Sequence, residues 1–319
     1  MKKFLFLVNP ISGSSPGTIV ASRIAHALTG RLPSSQYDIF FTEKDIPGQA
    51  RALAPHYEAI IGAGGDGTFG ALVQAVDQMP NPPKVGIIPF GVGNDFARSL
   101  GLLDVLKHWG IPGMVNMFLA GKTKMVDVLT INGQFLFTSY LGIGNDAKIS
   151  NTFNNLRPRT PRTVAGVRIG INRILYTGLS LRNLAYTIPF GFELWYRNSN
   201  GRETCVNVPV GLHGLLVTNS AIYAGGAKMS SRTDLSDGKF EVTVIKDIRH
   251  WWAMHFTRFF KMPLDELSPM VYQISTDWLR ITLNGETFFQ LDGEEPGPEI
   301  SRAKTLDISV SHQMEMFVP

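Results

Sequence analysis

The sequence predicts an N-terminal doubly wound α/β domain over residues 1–125 and a C-terminal antiparallel β-sandwich domain over residues 126–319, whose final segment can return to the first domain. Three observations predict this: the length, a change of strand texture near residue 125, and three glycine-rich turns that each follow an early strand. A chain of 319 residues exceeds one ordinary core, and 44% hydrophobic with 18% charged residues is the composition of a folded protein.

The elements follow in order. "KKFLFLVN", "YDIFFTE", "YEAIIGAG" and "KVGIIPFG" are short β-rich runs, separated by segments of helical spacing such as Ile19, Ile24 and Leu28. Parallel strands are covered on both faces and read as continuous apolar runs, as Phe4 to Val8 does. Beyond residue 125, "VDVLTING", "FLFTSYLGIG", "FELWYRNSNG", "GLLVTNS", "FEVTVIKD" and "LRITLNGETFFQLDGEE" alternate with Asn-Gly and Asn-Ser-Asn-Gly turns, the pattern of antiparallel hairpins. Two helices interrupt them. Residues 162–179 place Val164, Val167, Ile171, Ile174 and Leu175 on one face, and residues 247–262 place Ile248, Trp252, His255, Phe256 and Phe259 together. The favoured expectation is that each apolar stripe docks on the sheet; the alternative is contact with a membrane surface through a basic, aromatic helix.

Charge and cysteine content narrow the setting. Thirty Lys and Arg against 26 Asp and Glu leave +4, which favours an anionic partner without choosing among nucleotide, nucleic acid and phospholipid. The opening "MKKFLFLVNPISG" has too short an apolar run for a secretory leader, and no stretch reaches the ~18 apolar residues of a membrane span, so a cytoplasmic protein is expected. The lone Cys205 cannot form an internal disulfide and is expected as a small buried hydrophobe; His213 and His255 lack metal-ligand spacing and are expected to be packed.

The three turns are "NPISGSSPG" at 9–17, "GAGGDGT" at 62–68 and "PFGVGND" at 89–95. In a parallel sheet all emerge at the carboxyl edge, where open α/β folds bind ligands. Glycine admits positive φ and lets backbone N–H groups approach an anion, and a helix starting near Thr68 adds its positive end, so Gly64 to Thr68 suits phosphate oxygens. One such turn is as easily an ordinary strand-to-helix connection; three at one edge form a nucleotide-binding crevice. A bare carboxylate at Asp66 would repel phosphates unless Mg²⁺ intervenes, which implies phosphoryl transfer. A P-loop ending in Gly-Lys-Ser/Thr is absent.

In this order and spacing "LVNPISG", "GGDGT" and "PFGVGNDFAR" resemble the diacylglycerol kinase catalytic domain, shared by bacterial diacylglycerol kinases, YegS-type lipid kinases and sphingosine kinases. "GGAKMSSRTDLSDGKFEV" and "FQLDGEE" extend the resemblance over most of the chain. It implies an ATP-dependent lipid kinase using Mg²⁺, with ATP held by Asn9, Pro10, Ser12 and Gly13, by Thr42, by Gly64, Gly65, Asp66, Gly67 and Thr68, and by Gly91, Gly93 and Asn94. It implies a general base at Asp292 or Glu294, with Glu294 favoured for its longer reach, and a structural Mg²⁺ on the Asp237 side chain and the carbonyls of Asp234 and Lys239. The implied partners are ATP and a lipid substrate at a membrane surface, with peripheral membrane association, no nucleic acid, and a homodimer left open. The family usually carries Asn-Glu after GGDGT and Gly-Thr-Gly-Asn-Asp in the next loop; here Gly70-Ala71 and Val92 stand instead. Two rival readings are an NAD kinase-like phosphotransferase with a soluble substrate and a catalytically silent lipid-binding protein that keeps the fold.

Overall fold

A computed structural model of the protein describes residues 2–12, 16–77, 79–91, 93–156, 171–268 and 270–319. Gly13, Val92, the segment 157–170 and the side chains of Ile171 and Ile174 lie outside the described residues, and with them most of the helical stripe expected at 162–179.

The first half alternates strand and helix: β1 (Lys2–Val8), α1 (Gly17–Leu28), β2 (Tyr37–Phe41), α2 (Ile46–Leu53), β3 (Tyr57–Gly64), α3 (Asp66–Val76), β4 (Lys84–Pro89), α4 (Asp95–Ser99) and α5 (Leu102–Ala120). The four strands are parallel in the order β2-β1-β3-β4. Leu5, Phe6, Leu7, Ile60, Ile61, Val85 and Ile88 are completely or almost completely buried, as strands covered on both faces require. Helices α1 and α5 pack together, as do α2 and α3. On α1 the buried stripe is Val20, Ile24, Ala27 and Leu28; Ile19 faces solvent, one position out of phase with the expected face.

The second half is antiparallel: β5 (Thr123–Ile131), β6 (Phe135–Phe137), β7 (Tyr140–Gly144), α6 (Asn145–Leu156), α7 (Ile171–Arg182), β8 (Phe192–Arg197), β9 (Glu203–Val208), β10 (Gly214–Thr218), β11 (Ile222–Tyr223), β12 (Ala227–Lys228), β13 (Phe240–Ile245), α8 (Ile248–Phe260), α9 (Leu264–Leu267), β14 (Tyr272–Thr276), β15 (Trp278–Leu283), β16 (Phe289–Leu291), α10 (Pro298–Ser301) and β17 (Thr305–Phe317). One sheet runs β14-β13-β10-β7-β16, and its inner face meets β8, β9, β15 and β17 across a core of Leu141, Ile143, Val217, Phe240, Val242, Leu194, Ile281 and Ile308. That is a β-sandwich, the class predicted from the alternating runs. Asn132 and Gly133 take φ of 54° and 66°, and Gly201 takes 73°, so the predicted hairpin turns use residues that tolerate the left-handed region.

Strand β17 joins the halves. Its first residues pair antiparallel with β15, its length pairs antiparallel with β5 across a bulge between Val310 and His312, and Met316 reaches β4 in parallel. Leu306 and Ile308 therefore sit in the sandwich core while Met314, Met316 and Phe317 sit in the α/β core.

Two expectations are corrected. Helix α8 buries His250, Trp251, Met254 and Thr257, not the stripe of Trp252, Phe256 and Phe259, because apolar residues occupy both arcs and periodicity alone does not select one. Cys205 is exposed: β9 is an edge strand whose alternate residues point outward, and Cys205 shares that face with its exposed partner Trp195.

Candidate active site

The three glycine turns meet at the carboxyl ends of β1, β3 and β4, which are neighbours in the sheet. Backbone hydrogen bonds lace them together: the Asn9 N–H donates to the Ala63 carbonyl at 2.9 Å, and the Phe90 and Gly91 N–H groups donate to the Gly64 carbonyl at 2.7 and 3.2 Å. At the end of β2, Thr42 donates its N–H to the Val8 carbonyl at 3.0 Å and stands beside the same edge. The Asn9 side chain donates to Thr68 Oγ1 at 2.9 Å, tying the first turn to the start of α3. Pro10 backs onto α1, where a Cβ at Gly17 would lie 2.7 Å from the Pro10 Cα. Ser12 lies near Gly65, its Oγ 3.8 Å from where a Cβ there would stand.

These glycines serve close approach rather than positive φ, which corrects part of the expectation. Gly64, Gly65, Gly67, Gly91 and Gly93 all lie outside the left-handed region. A Cβ on Gly91 would sit 2.5 Å from the Gly65 Cα, one on Gly64 would sit 2.3 Å from Thr68 Oγ1, and one on Gly93 would sit 3.0 Å from an Asp66 carboxylate oxygen. Gly67 differs, since it is exposed and a Cβ there would meet nothing within 4 Å. The first turn of α3 beneath it has no side-chain cap, so its N–H groups and the positive end of the helix face the crevice.

Asn94 occupies the left-handed region at φ 53°, where its side chain accepts from the Gly91 N–H at 3.0 Å and donates to the Gly91 carbonyl at 2.7 Å. Its own N–H donates to Asp66 at 2.8 Å. The side chain of Asn94 thus braces the turn and its backbone aims Asp66.

Three carboxylates converge here, one of which the sequence reading missed. Asp95 begins α4 and is 2% exposed; it accepts from the Gly225 N–H at 2.8 and 2.9 Å and from the Tyr140 hydroxyl at 3.3 Å. Burial raises its pKa, against which the Gly225 N–H and the charge of Arg98 act. Burial also pushes Asp66 up to about 7, with the charges of Asp95 and Asp292 adding to the effect. Tyr140 is raised well above the usual range by burial and by the surrounding carboxylates. The only local signal for Asp95 was its place after Asn94 in "GND"; its partner Gly225 is 130 residues away.

From the sandwich comes the turn Leu291–Glu294, closed by the Glu294 N–H on the Leu291 carbonyl at 3.0 Å, with φ of 48° at Asp292 and 91° at Gly293. Two adjacent positive φ values send Asp292 and Glu294 apart. The Asp292 carboxylate turns back onto β7 and accepts from the N–H groups of Thr138, Ser139 and Tyr140 at 3.1, 2.9 and 2.9 Å. Glu294 is exposed, with the Asn154 amide 3.4 Å away.

The other acidic turn lies elsewhere. Asp234 pairs with Lys124 at 2.8 Å and accepts from Ser236, and Lys124 holds it below the usual carboxylate range. Asp237 accepts from the Lys239 N–H at 3.0 Å and is raised by burial, with the charges of Asp234 and Asp127 contributing. Among the described residues no group of three or more His, Cys, Asp or Glu side chains is placed to hold a metal. Asp237 and Asp66 are each a single carboxylate beside other negative charge, hard oxygen donors of the kind Mg²⁺ takes.

An α/β domain whose glycine turns are joined through Tyr140 and Asp95 to an acidic turn from a β-sandwich defines a two-domain fold. Residues 3–131 match the diacylglycerol kinase catalytic domain and residues 136–295 match the diacylglycerol kinase accessory domain, so the chain belongs to the diacylglycerol kinase family. It is 28% identical over 209 residues to diacylglycerol kinase 1 of Arabidopsis thaliana, covering 60% of this chain and 28% of that protein. It is 32% identical over 146 residues to a diacylglycerol kinase of Staphylococcus epidermidis, covering 44% and 43%. A diacylglycerol kinase of Bacillus subtilis is 25% identical over 253 residues, covering 77% and 74%. The chain thus spans less than half the length of the first two relatives. A diacylglycerol kinase structure from Bacillus anthracis shares the fold with a TM-score of 0.70 at 21% identity, covering 100% of this chain and 97% of that one.

Proposed function

We propose that the protein is an ATP-dependent lipid kinase that phosphorylates the hydroxyl of a membrane lipid such as diacylglycerol, acting at the cytoplasmic face of a membrane. The observation that carries this is that Tyr140 links the two halves, its N–H donating to Asp292 of the acidic turn at 2.9 Å and its hydroxyl to Asp95 at 3.3 Å, so that the glycine turns of residues 1–125 and the acidic turn of residues 126–319 supply two halves of one phosphoryl-transfer site. Gly67 and the uncapped start of α3 receive phosphate oxygens, while Asn9, Thr42 and the Gly91–Gly93 turn shape the crevice for the nucleotide.

Asp292 and Glu294 divide the work of the acidic turn. Three backbone donors occupy the Asp292 carboxylate, which makes it a positioning residue that fixes the turn to β7. Glu294, exposed two residues beyond Asp292, accepts the proton of the lipid hydroxyl as its oxygen attacks the γ-phosphorus, and ADP leaves. Asp66 would hold a Mg²⁺ that could neutralise charge on phosphate oxygens, and the Asp237 side chain would hold a second that could steady the 234–239 turn.

The test is ADP release by the purified protein with ATP and Mg²⁺ on mixed micelles with and without diacylglycerol, alongside a panel of soluble alcohols that includes NAD. Diacylglycerol-dependent release of ADP with a lipid phosphate as product is expected. Turnover confined to the soluble panel would transfer the protein to the NAD kinase-like reading, and ATP binding without any transfer would make it a silent lipid-binding protein.

A further inference from the structure

We propose that Asn154 is a positioning residue for Glu294: with Ser150 it fixes the peptide group from which Glu294 hangs and so sets where that carboxylate stands. Its consequence for transfer rests on the lipid-kinase reading with Glu294 as base. Helix α6 packs along β16, and Asp146, Ser150 and Asn154 recur on it at four-residue intervals, which places them on one face. That face holds the acidic turn. Ser150 Oγ and Asn154 Nδ2 both donate to the Gly293 carbonyl, at 3.1 and 2.7 Å, and Asn154 Nδ2 also lies 3.4 Å from Glu294 Oε2. Nearer the start of the helix, Asp146 accepts from Gln290 Nε2 at 3.3 Å, and Gln290 Oε1 accepts from the Gly293 N–H at 2.8 Å.

The turn does not need Asn154 in order to close. Leu291 and Glu294 already bond each other through their backbones, Gln290 holds the Gly293 N–H, and three N–H groups of β7 and the residues before it hold Asp292. What is left to set is the orientation of the peptide group between residues 293 and 294. That group is planar, so the Gly293 carbonyl, the Glu294 N–H and the Glu294 Cα move as one. Its N–H end is held by the Leu291 carbonyl at 3.0 Å, and its carbonyl end by the two α6 side chains. Glycine at φ 91° has no side chain of its own to restrain the plane, and α6 supplies the restraint. An amide nitrogen carries two hydrogens, so Asn154 can serve the carbonyl and the carboxylate together. A base displaced by about 1 Å can cost 10²-fold in rate, which makes this hold a matter of chemistry and not only of stability.

Phosphate transfer from ATP to diacylglycerol, thermal melts and exchange of the Glu294 amide proton test the proposal on Asn154→Ala, on Asn154→Asp and on the double variant of Asn154→Ala with Glu294→Gln. Asn154→Ala should lower kcat about 10- to 100-fold with KM for ATP unchanged and a melting temperature no more than a few degrees below the parent. Asn154→Asp, of equal size but without the donor, should lose at least as much. In the Glu294→Gln background Asn154→Ala should cost less than about threefold more, because both changes act on one proton acceptance. Thr152→Ala on the same helix, whose hydroxyl donates to the Lys148 carbonyl, should leave kcat unchanged. Parent-level kcat in Asn154→Ala would overturn the proposal, as would a loss that multiplies in full with that of Glu294→Gln, or one in which KM for ATP rises and the melt collapses together. Exchange at Glu294 should quicken in Asn154→Ala independently of catalysis. A parent that transfers no phosphate, or a Glu294→Gln variant that transfers at the parent rate, would sink the reading of kinase or base; faster exchange would then still uphold the tether from α6, and unchanged exchange would overturn it.

Discussion

The Gly64–Thr68 turn and the Leu291–Glu294 turn both set glycine beside aspartate, and they do so for opposite physical reasons. In the first, glycine is required because neighbouring backbone and side chains stand where a Cβ would be, while φ is ordinary. In the second, space is available, a Cβ on Gly293 being 3.7 Å from the Tyr140 hydroxyl, and φ of 91° is what excludes other residues. A glycine-aspartate pair in a sequence therefore marks either a crowded junction or a twisted turn, and only the surrounding elements distinguish them.

That contrast is most sharply broken at Gly91. Gly91→Ala forces a methyl within 2.5 Å of the Gly65 Cα, backbone against backbone, and should abolish measurable ATP binding in calorimetry; Gly65→Ala, at 3.0 Å, should weaken it less. Gly67→Ala, which meets nothing, should leave the melting temperature unchanged, so any loss of ATP affinity there reports the approach of phosphate itself. Equal effects at all three would refute the crowding account.

Next in size is the acidic turn. Glu294→Gln should lower single-turnover phosphate transfer by about 10² to 10⁴ with ATP affinity unchanged. Asp292→Asn should act mainly through stability, because it weakens the hold on three backbone donors. If Asp292→Asn lost the chemistry with an unchanged melt and Glu294→Gln kept it, the two roles would be exchanged.

Asp66 offers a pH test. Its folded pKa of about 7 lies above the value of 3.8 for an exposed carboxyl, so the unfolded state holds fewer protons between those values. Its contribution to stability is complete below pH 4 and is lost as pH rises through 7. Nucleotide-free Asp66→Asn should melt above the parent at pH 8, with the gap closing towards pH 4. A gap that does not change with pH would remove the burial argument. The smallest effect is expected at Gly293, where alanine at positive φ should cost about 1 kcal/mol and a few degrees of melting temperature.

Much of this architecture was legible because it is local. Continuous apolar runs marked β1, β3 and β4, their order put three glycine turns at one edge, and Asn-Gly pairs marked the hairpins. Asp95 was not legible, since a buried carboxylate is explained by partners distant in sequence, here Gly225 and Tyr140. Nor was the bracing role of Asn94, which depends on its left-handed φ. The buried arc of α8 escaped because aromatic residues occupy both arcs, and what packs against Trp251 and Met254 is the sheet-helix layer containing Tyr223 and Ala227.

Strand β17 also has a meaning for biosynthesis. A chain that leaves the ribosome from its N-terminus presents β4, β5 and β15 before the strand that pairs with all three has been made. Until residues 305–317 follow, those edges stay open to wrong partners and both cores lack side chains they share through one segment. Neither core is complete before that segment is made, so holding the nascent chain apart from its neighbours matters up to the arrival of Phe317.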